Sequence, residues 1–165
     1  MKKDYSGTAV AAIIFAAMLS GLVYRYWPSE ERSIRRHLTN LADTLSLPHS
    51  DTEVETITRF AAMREYFHPD VRIRLDEREI VSRDVLIRTL TQWTPPPGGV
   101  VVELSEMRVR LADDKLTANV DVIAGVSAKE AAARERTVDV RVFELAMTSA
   151  SGDWVIVSAD GRVPD

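Results

Sequence analysis

The chain has 165 residues, 45% of them hydrophobic and 28% charged, with a formal net charge of −4 and no cysteine. That mixture supports one globular domain and excludes wholesale disorder, a disulfide scaffold, iron–sulfur or thiolate-zinc ligation and a lipidated cysteine anchor. The acidic balance argues against nucleic acid as an electrostatic partner.

Residues 8–24, Thr8 to Tyr24, carry no charge. A bilayer core about 30 Å thick needs roughly 20 helical residues, with about 17 as the floor. The stretch therefore predicts one transmembrane helix in contact with the lipid bilayer. Lys2 and Lys3 precede it, and Tyr24, Tyr26 and Trp27 follow as an aromatic belt would. A cleaved signal needs small residues at its cleavage site, but Met18, Leu19 and Leu22-Val23-Tyr24 interrupt that pattern. Residues 1–27 thus read as a tail and signal-anchor, and residues 28–165 as the domain. Lys2, Lys3 and the terminal amine favour a cytoplasmic N-terminus, against Arg25, Arg32, Arg35 and Arg36. The expectation is a single-pass protein, of a bacterial inner membrane, with its domain outside the cytoplasm. Residues 1–27 hold Lys2, Lys3 and Arg25 against Asp4, so the remainder is the more acidic part and is not expected to lie flat on anionic lipid.

Pro28-Ser29 opens the next element, where Ile34, Leu38, Leu41 and Leu45 recur at helical spacing until Pro48. Ser50-Asp51-Thr52-Glu53 fits a capping box with Ser50 as the N-cap. A second amphipathic helix carries Val54, Ile57, Phe60, Ala61 and Phe67 to a stop at His68-Pro69-Asp70. Val71, Ile73 and Leu75 alternate with charges as a short strand. Asp76-Glu77-Arg78 turns the chain, and Glu79-Ile80-Val81 pairs back. Ser82 caps a third helix with Val85, Leu86, Leu90 and Trp93, and Pro95-Pro96-Pro97-Gly98-Gly99 is a stiff connector.

From Val100 the period becomes two. Val100, Val102 and Leu104 give way to Met107, Val109 and Leu111, a phase slip that predicts a β-bulge at Ser105-Glu106. Asp113-Asp114 turns, and Leu116, Ala118, Val120 and Val122 form the next strand. Ala128 to Arg136 reads as a loop or one helical turn. Val138, Val140 and Val142, then Phe143, Leu145 and Met147, show a second slip, and Trp154, Ile156 and Ser158 close the sheet. The order is an α+β fold with three helices on a strongly curved, mostly antiparallel sheet.

Three passages resemble the nuclear-transport-factor-2-like superfamily, the cone-shaped fold of ketosteroid isomerase and SnoaL-like polyketide cyclases, over about residues 30–160. Tyr66-Phe67-His68-Pro69-Asp70-Val71 is similar to its approach to the first strand. Arg78-Glu79-Ile80-Val81-Ser82-Arg83-Asp84-Val85 is similar to its passage into the third helix. Gly152-Asp153-Trp154-Val155-Ile156 is similar to its last strand. The resemblance implies a cone that serves as an enzyme site in some members and as a binding pocket in others, and dimers formed through the outer sheet face. It implies no cofactor. Membrane-anchored relatives of this fold act in membrane protein complexes.

In ketosteroid-isomerase-like members a carboxylate on the first strand moves a proton, and that position here is Leu75. Asp76 beside it should face the other side of the strand, as a turn residue; it is the remaining acid–base candidate. The epoxide-hydrolase branch pairs two aspartates with an arginine. Asp121, Asp139, Arg108, Arg110 and Arg141 lie out of phase with the valines, so they are expected on the outer face as cross-strand ion pairs. Ile123 and Phe143 share that expected face and suggest a dimer surface. His37 borders the buried stripe of the first helix and is a pocket candidate with Phe60, Met63, Tyr66, Phe67 and Trp93, all of which also read as plain core. His37, His49 and His68 have no metal-site spacing. No nucleophile elbow, phosphate loop or dinucleotide fingerprint is present. The sequence thus predicts a membrane-anchored, non-catalytic domain for binding or assembly. Its rival is an isomerase, dehydratase or cyclase-type enzyme for a small apolar substrate.

Overall fold

A computed structural model describes residues 29–47, 52–96, 98–128, 137–149 and 152–164. The expected membrane span at 8–24, the Ser50 cap, His49 and the 129–136 connection lie outside them. Among the described residues no helix is long and apolar enough to cross a membrane.

Ser29 caps helix α1 (Glu30–Leu45) by accepting the Arg32 N–H, and Glu30 and Glu31 complement the positive end of the helix. Ile34, Leu38, Leu41 and Ala42 are its buried stripe. Helix α2 (Glu53–Ala62) has a capping box, two residues later than the spacing predicts: Thr52 is the N-cap and Glu55 reaches back. Its apolar stripe is also narrower than expected. Phe60 is buried, but Val54 and Ile57 are 73% and 48% exposed. The helix stops at Ala62, before the histidine–proline pair, and Met63–Tyr66 continue as one 3₁₀ turn.

Strand β1 (Phe67–Leu75) pairs with β2 (Arg78–Val81) across a turn at Asp76, whose φ is 55°. Ser82 caps α3 (Arg83–Gln92), of which only Leu86 is fully buried. Strands β3 (Val100–Leu111), β4 (Thr117–Ala128), β5 (Thr137–Thr148) and β6 (Val155–Arg162) complete a sheet ordered β2-β1-β6-β5-β4-β3. It is mixed, because β1 and β6 run parallel. The predicted bulge in β3 is present. The register shifts between Ser105 and Arg108, and Glu106 takes φ 47°.

The predicted slip in β5 is not a bulge against β4. The two strands pair in one register from Thr117↔Thr148 to Ala128↔Thr137. Phe143, Leu145 and Met147 share the covered face with Val122, Val120 and Ala118, while Val138, Val140 and Val142 face outward. Phe143 therefore is not part of the outer face, and Val138 (56% exposed) and Val140 (39%) are. The strand is apolar on both faces, which sequence phase alone reads as a slip.

The helices cover one face, and all fully buried core residues fall between Ile34 and Ala159. The helix layer is pinned at both ends of α1. Trp154 Nε1–H donates to Glu30 at 3.0 Å, and Leu47 exchanges two backbone hydrogen bonds with Val100 at 2.8 Å. Gly161 pairs with both Leu75 and Phe143. A Cβ there would lie 2.6 Å from Leu75 Cδ2 and from Phe143 Cε1. Gly161→Ala should cost about 1–3 kcal/mol in chemical denaturation, and Phe143→Ala should relieve part of that penalty in the double variant.

Candidate functional site

A cavity of about 300 Å³ lies between α1 and the covered face of the sheet. Leu38, Leu41 and Leu45 form its helical wall; Val122, Ala124 and Phe143 face them from the sheet; Trp93 lies at its side. Every residue lining it is apolar. Its size is at the small end for ligand pockets, and a chamber without polar partners does not hold ordered water.

A charged cluster stands beside it. Cross-strand neighbours share a face, and Arg141 and Asp139 lie opposite Ala124 and Val126 of the cavity wall. Both therefore project from the covered face, not the outer one that phase predicts. Arg141 Nη1 donates to Asp76 Oδ2 at 2.6 Å and its Nε to Asp139 Oδ2 at 3.2 Å. Arg141 is 23% exposed, and the two carboxylates are 52% and 58% exposed. The hydrogen bonds to Asp76 first, then to Asp139, raise the arginine pKa further above its usual value. Asp76 reaches Arg141 because its positive φ takes it out of the strand's alternation. Asp121, Arg108 and Arg110 do lie on the outer face, where Arg110 and Asp121 pair at 2.9 Å.

A second cavity, about 700 Å³, is polar. It is lined by His37, Arg64, Glu65, Tyr66, Phe67, His68, Pro69, Arg83, Asp153 and Val155. The rings of His37 and Tyr66 make a tilted contact, with centroids 4.7 Å apart and planes at 45°. Burial depresses the His37 pKa, and the Asp153 charge opposes that shift. His68 Nδ1 accepts the Asp70 N–H at 3.2 Å, which leaves the proton of the neutral ring on Nε2.

The pocket candidates thus separate. His37 and Tyr66 meet in the polar cavity, Trp93 lines the apolar one, and Phe67 belongs to the walls of both. Phe60 and Met63 are buried in the core and line neither. Asp139 and Arg141, like Phe143, are residues that sequence phase placed on the wrong face. The shift of apolar positions at Val142-Phe143 was their signal. Among the described residues no three histidine or carboxylate groups are arranged to hold a metal ion.

No protein-family model matches the chain, and no curated protein does. Solved structures do. A candidate scytalone dehydratase from Novosphingobium aromaticivorans superposes with a TM-score of 0.65 at 15% identity, over 82% of this chain and 85% of its own. An NTF2-like protein with a cystatin-like fold from the same organism gives 0.64 at 12% identity, over 92% and 88%. The CamKII hub homology domain of Chlamydomonas reinhardtii gives 0.60 at 15% identity, over 83% and 100%. The chain has the NTF2-like, cystatin-like α+β fold.

The depressed His37 pKa carries a pH dependence. The unfolded chain binds this proton below about pH 6.5, while the folded chain resists it until lower pH, so stability falls as pH drops below that value. Denaturation at pH 7.5 and 5.5 should show that loss in the native chain, and His37→Phe should flatten it.

Proposed function

We propose that the chain is a membrane-anchored, non-catalytic binding module that takes a small apolar ligand into the cone cavity, with its domain outside the cytoplasm. One observation carries this reading: the cavity wall is wholly apolar, with no acid, base or nucleophile along it. At the ketosteroid-isomerase carboxylate position Leu75 offers no base. The uncharged stretch at 8–24 and the preceding Lys2 and Lys3 support the anchor. The exposed Val138 and Val140 on the outer face, and the likeness to a hub homology domain, support self-association or membership of a membrane complex.

The rival reading, an isomerase, dehydratase or cyclase-type enzyme, has the Asp76–Arg141–Asp139 cluster in its favour. Two exposed carboxylates on a fixed arginine form a polar edge beside an apolar chamber. The likeness to a candidate scytalone dehydratase points the same way.

Native mass spectrometry on residues 29–165, which retain the whole core, tests the binding reading and reports oligomeric state together. A retained apolar molecule, lost in a cavity-filling Ala124→Phe variant, is the expected result. Asp76→Ala should leave that binding and the biological function intact. Loss of function in a folded Asp76→Ala protein would transfer the assignment to the enzyme. Topology is checked separately. A periplasmic reporter enzyme fused after Asp165 should be active, and a reporter that works only in the cytoplasm should be silent.

A further inference from the structure

The polar cavity holds a cation, Arg83, that forms no ion pair among the described residues. Arg83 opens α3 and is half-buried. Its Nη1 donates to the backbone carbonyls of Arg64 and Phe67, each at 3.2 Å, which are neutral acceptors. Its Nε is buried and has no hydrogen-bond partner among the described residues. The adjacent carboxylate, Asp84, is paired with Arg64 instead. His37 Nε2 is the other buried, unpartnered side-chain atom, and both residues line this same cavity. Two buried nitrogens without partners are each unfavourable, and an acceptor in the cavity relieves both.

We infer that this cavity binds a compact oxyanion, the carboxylate or phosphate group of a small ligand, with Arg83 Nε–H and His37 as its donors. A guanidinium held by one nitrogen and free at another suits such an oxygen. Tyr66 packs its ring against His37, and His68 offers a further donor through Nε2–H. Glu65 and Asp153, exposed at the cavity lining, oppose anion binding in general, so the affinity expected is modest. Because the apolar cavity shares only Phe67 with this one, the inference stands independently of what the cone binds.

The test uses the full-length chain in nanodiscs of zwitterionic lipid, with isotope-labelled histidine side chains. It is titrated with sodium phosphate and, separately, sodium acetate, at ionic strength held constant with chloride. His37 resonances should move saturably, with half-effect near about 1 mM. Arg83→Gln should weaken the response at least tenfold. His37→Phe, read at His68, should weaken it severalfold while keeping a ring on Tyr66. A response to phosphate alone identifies the phosphate class, to acetate alone the carboxylate class, and to both a general oxyanion site. If Arg83→Gln does not fold, Arg83→Lys serves, since it keeps the charge but loses Nε–H and must also weaken binding. No saturable shift with either anion, an equal shift with chloride, or unchanged affinity in the Arg83 variant would overturn the inference.

Discussion

The functional geometry depends on the register between β4 and β5. The two strands pair without interruption from Thr117↔Thr148 to Ala128↔Thr137. Side chains alternate with a period of two, so a shift of one residue would exchange the two faces of β5 entirely. In the observed register Phe143 closes the apolar cavity, Arg141 and Asp139 stand at its edge, and Val138, Val140 and Val142 point away. The alternative register would turn valines toward the cavity edge and Arg141 and Asp139 away from it. The unbroken ladder, with β5 also paired to β6, fixes the first arrangement.

The helix layer is held over that face at its margins. Trp154 and Glu30 tie the start of α1 to the beginning of β6, and Leu47 and Val100 tie its end to β3. Ser46 Oγ accepts the Val102 N–H at 2.9 Å, and Arg35 donates to the Met107 carbonyl at 2.7 Å. These directional contacts set the spacing of the layers, and apolar packing fills the space within it. Phe60, Met63 and Ile34 fill one side completely. The side beneath Leu38 to Leu45 retains a chamber because the facing residues there include the small Ala124 and Ala159.

Two chambers of opposite character result, with Phe67 in the wall of each. One has an almost wholly apolar wall with no charged side chain to orient a ligand, and its nearest charges form a mutually satisfied cluster of an arginine and two aspartates. The other is built mostly from element ends, namely the 3₁₀ turn, the first residues of β1 and α3, and the segment leading into β6, with His37 added from the middle of α1. Element ends carry polar side chains and unpaired backbone groups, which is why polarity gathers there. Two of the non-glycine residues with positive φ border these chambers. Asp76 and Ser82 both take positive φ, at the turn that leads to Arg141 and at the cap that positions Arg83.

Much of the architecture was legible in the chain because local periodicity reports it. The spacing of Ile34, Leu38 and Leu41 identified α1, the alternation after Val100 identified the long strands, and the phase change at Ser105-Glu106 located a bulge that the structure contains. His37 was recognisable as bordering an apolar stripe, and Phe67 and Trp93 as members of one. What periodicity could not separate was core from cavity wall, as Phe60 and Met63 show, or a bulge from a strand apolar on both faces, as β5 shows. Nor could it bring Asp76 to Arg141, 65 positions away, or leave the buried Arg83 Nε without a partner among the described residues. Local sequence by itself determined the elements and their caps, since those depend on neighbours within a few residues. Tertiary structure alone decided which face each strand turns inward and which charges meet, because these follow from pairing between segments distant in the chain.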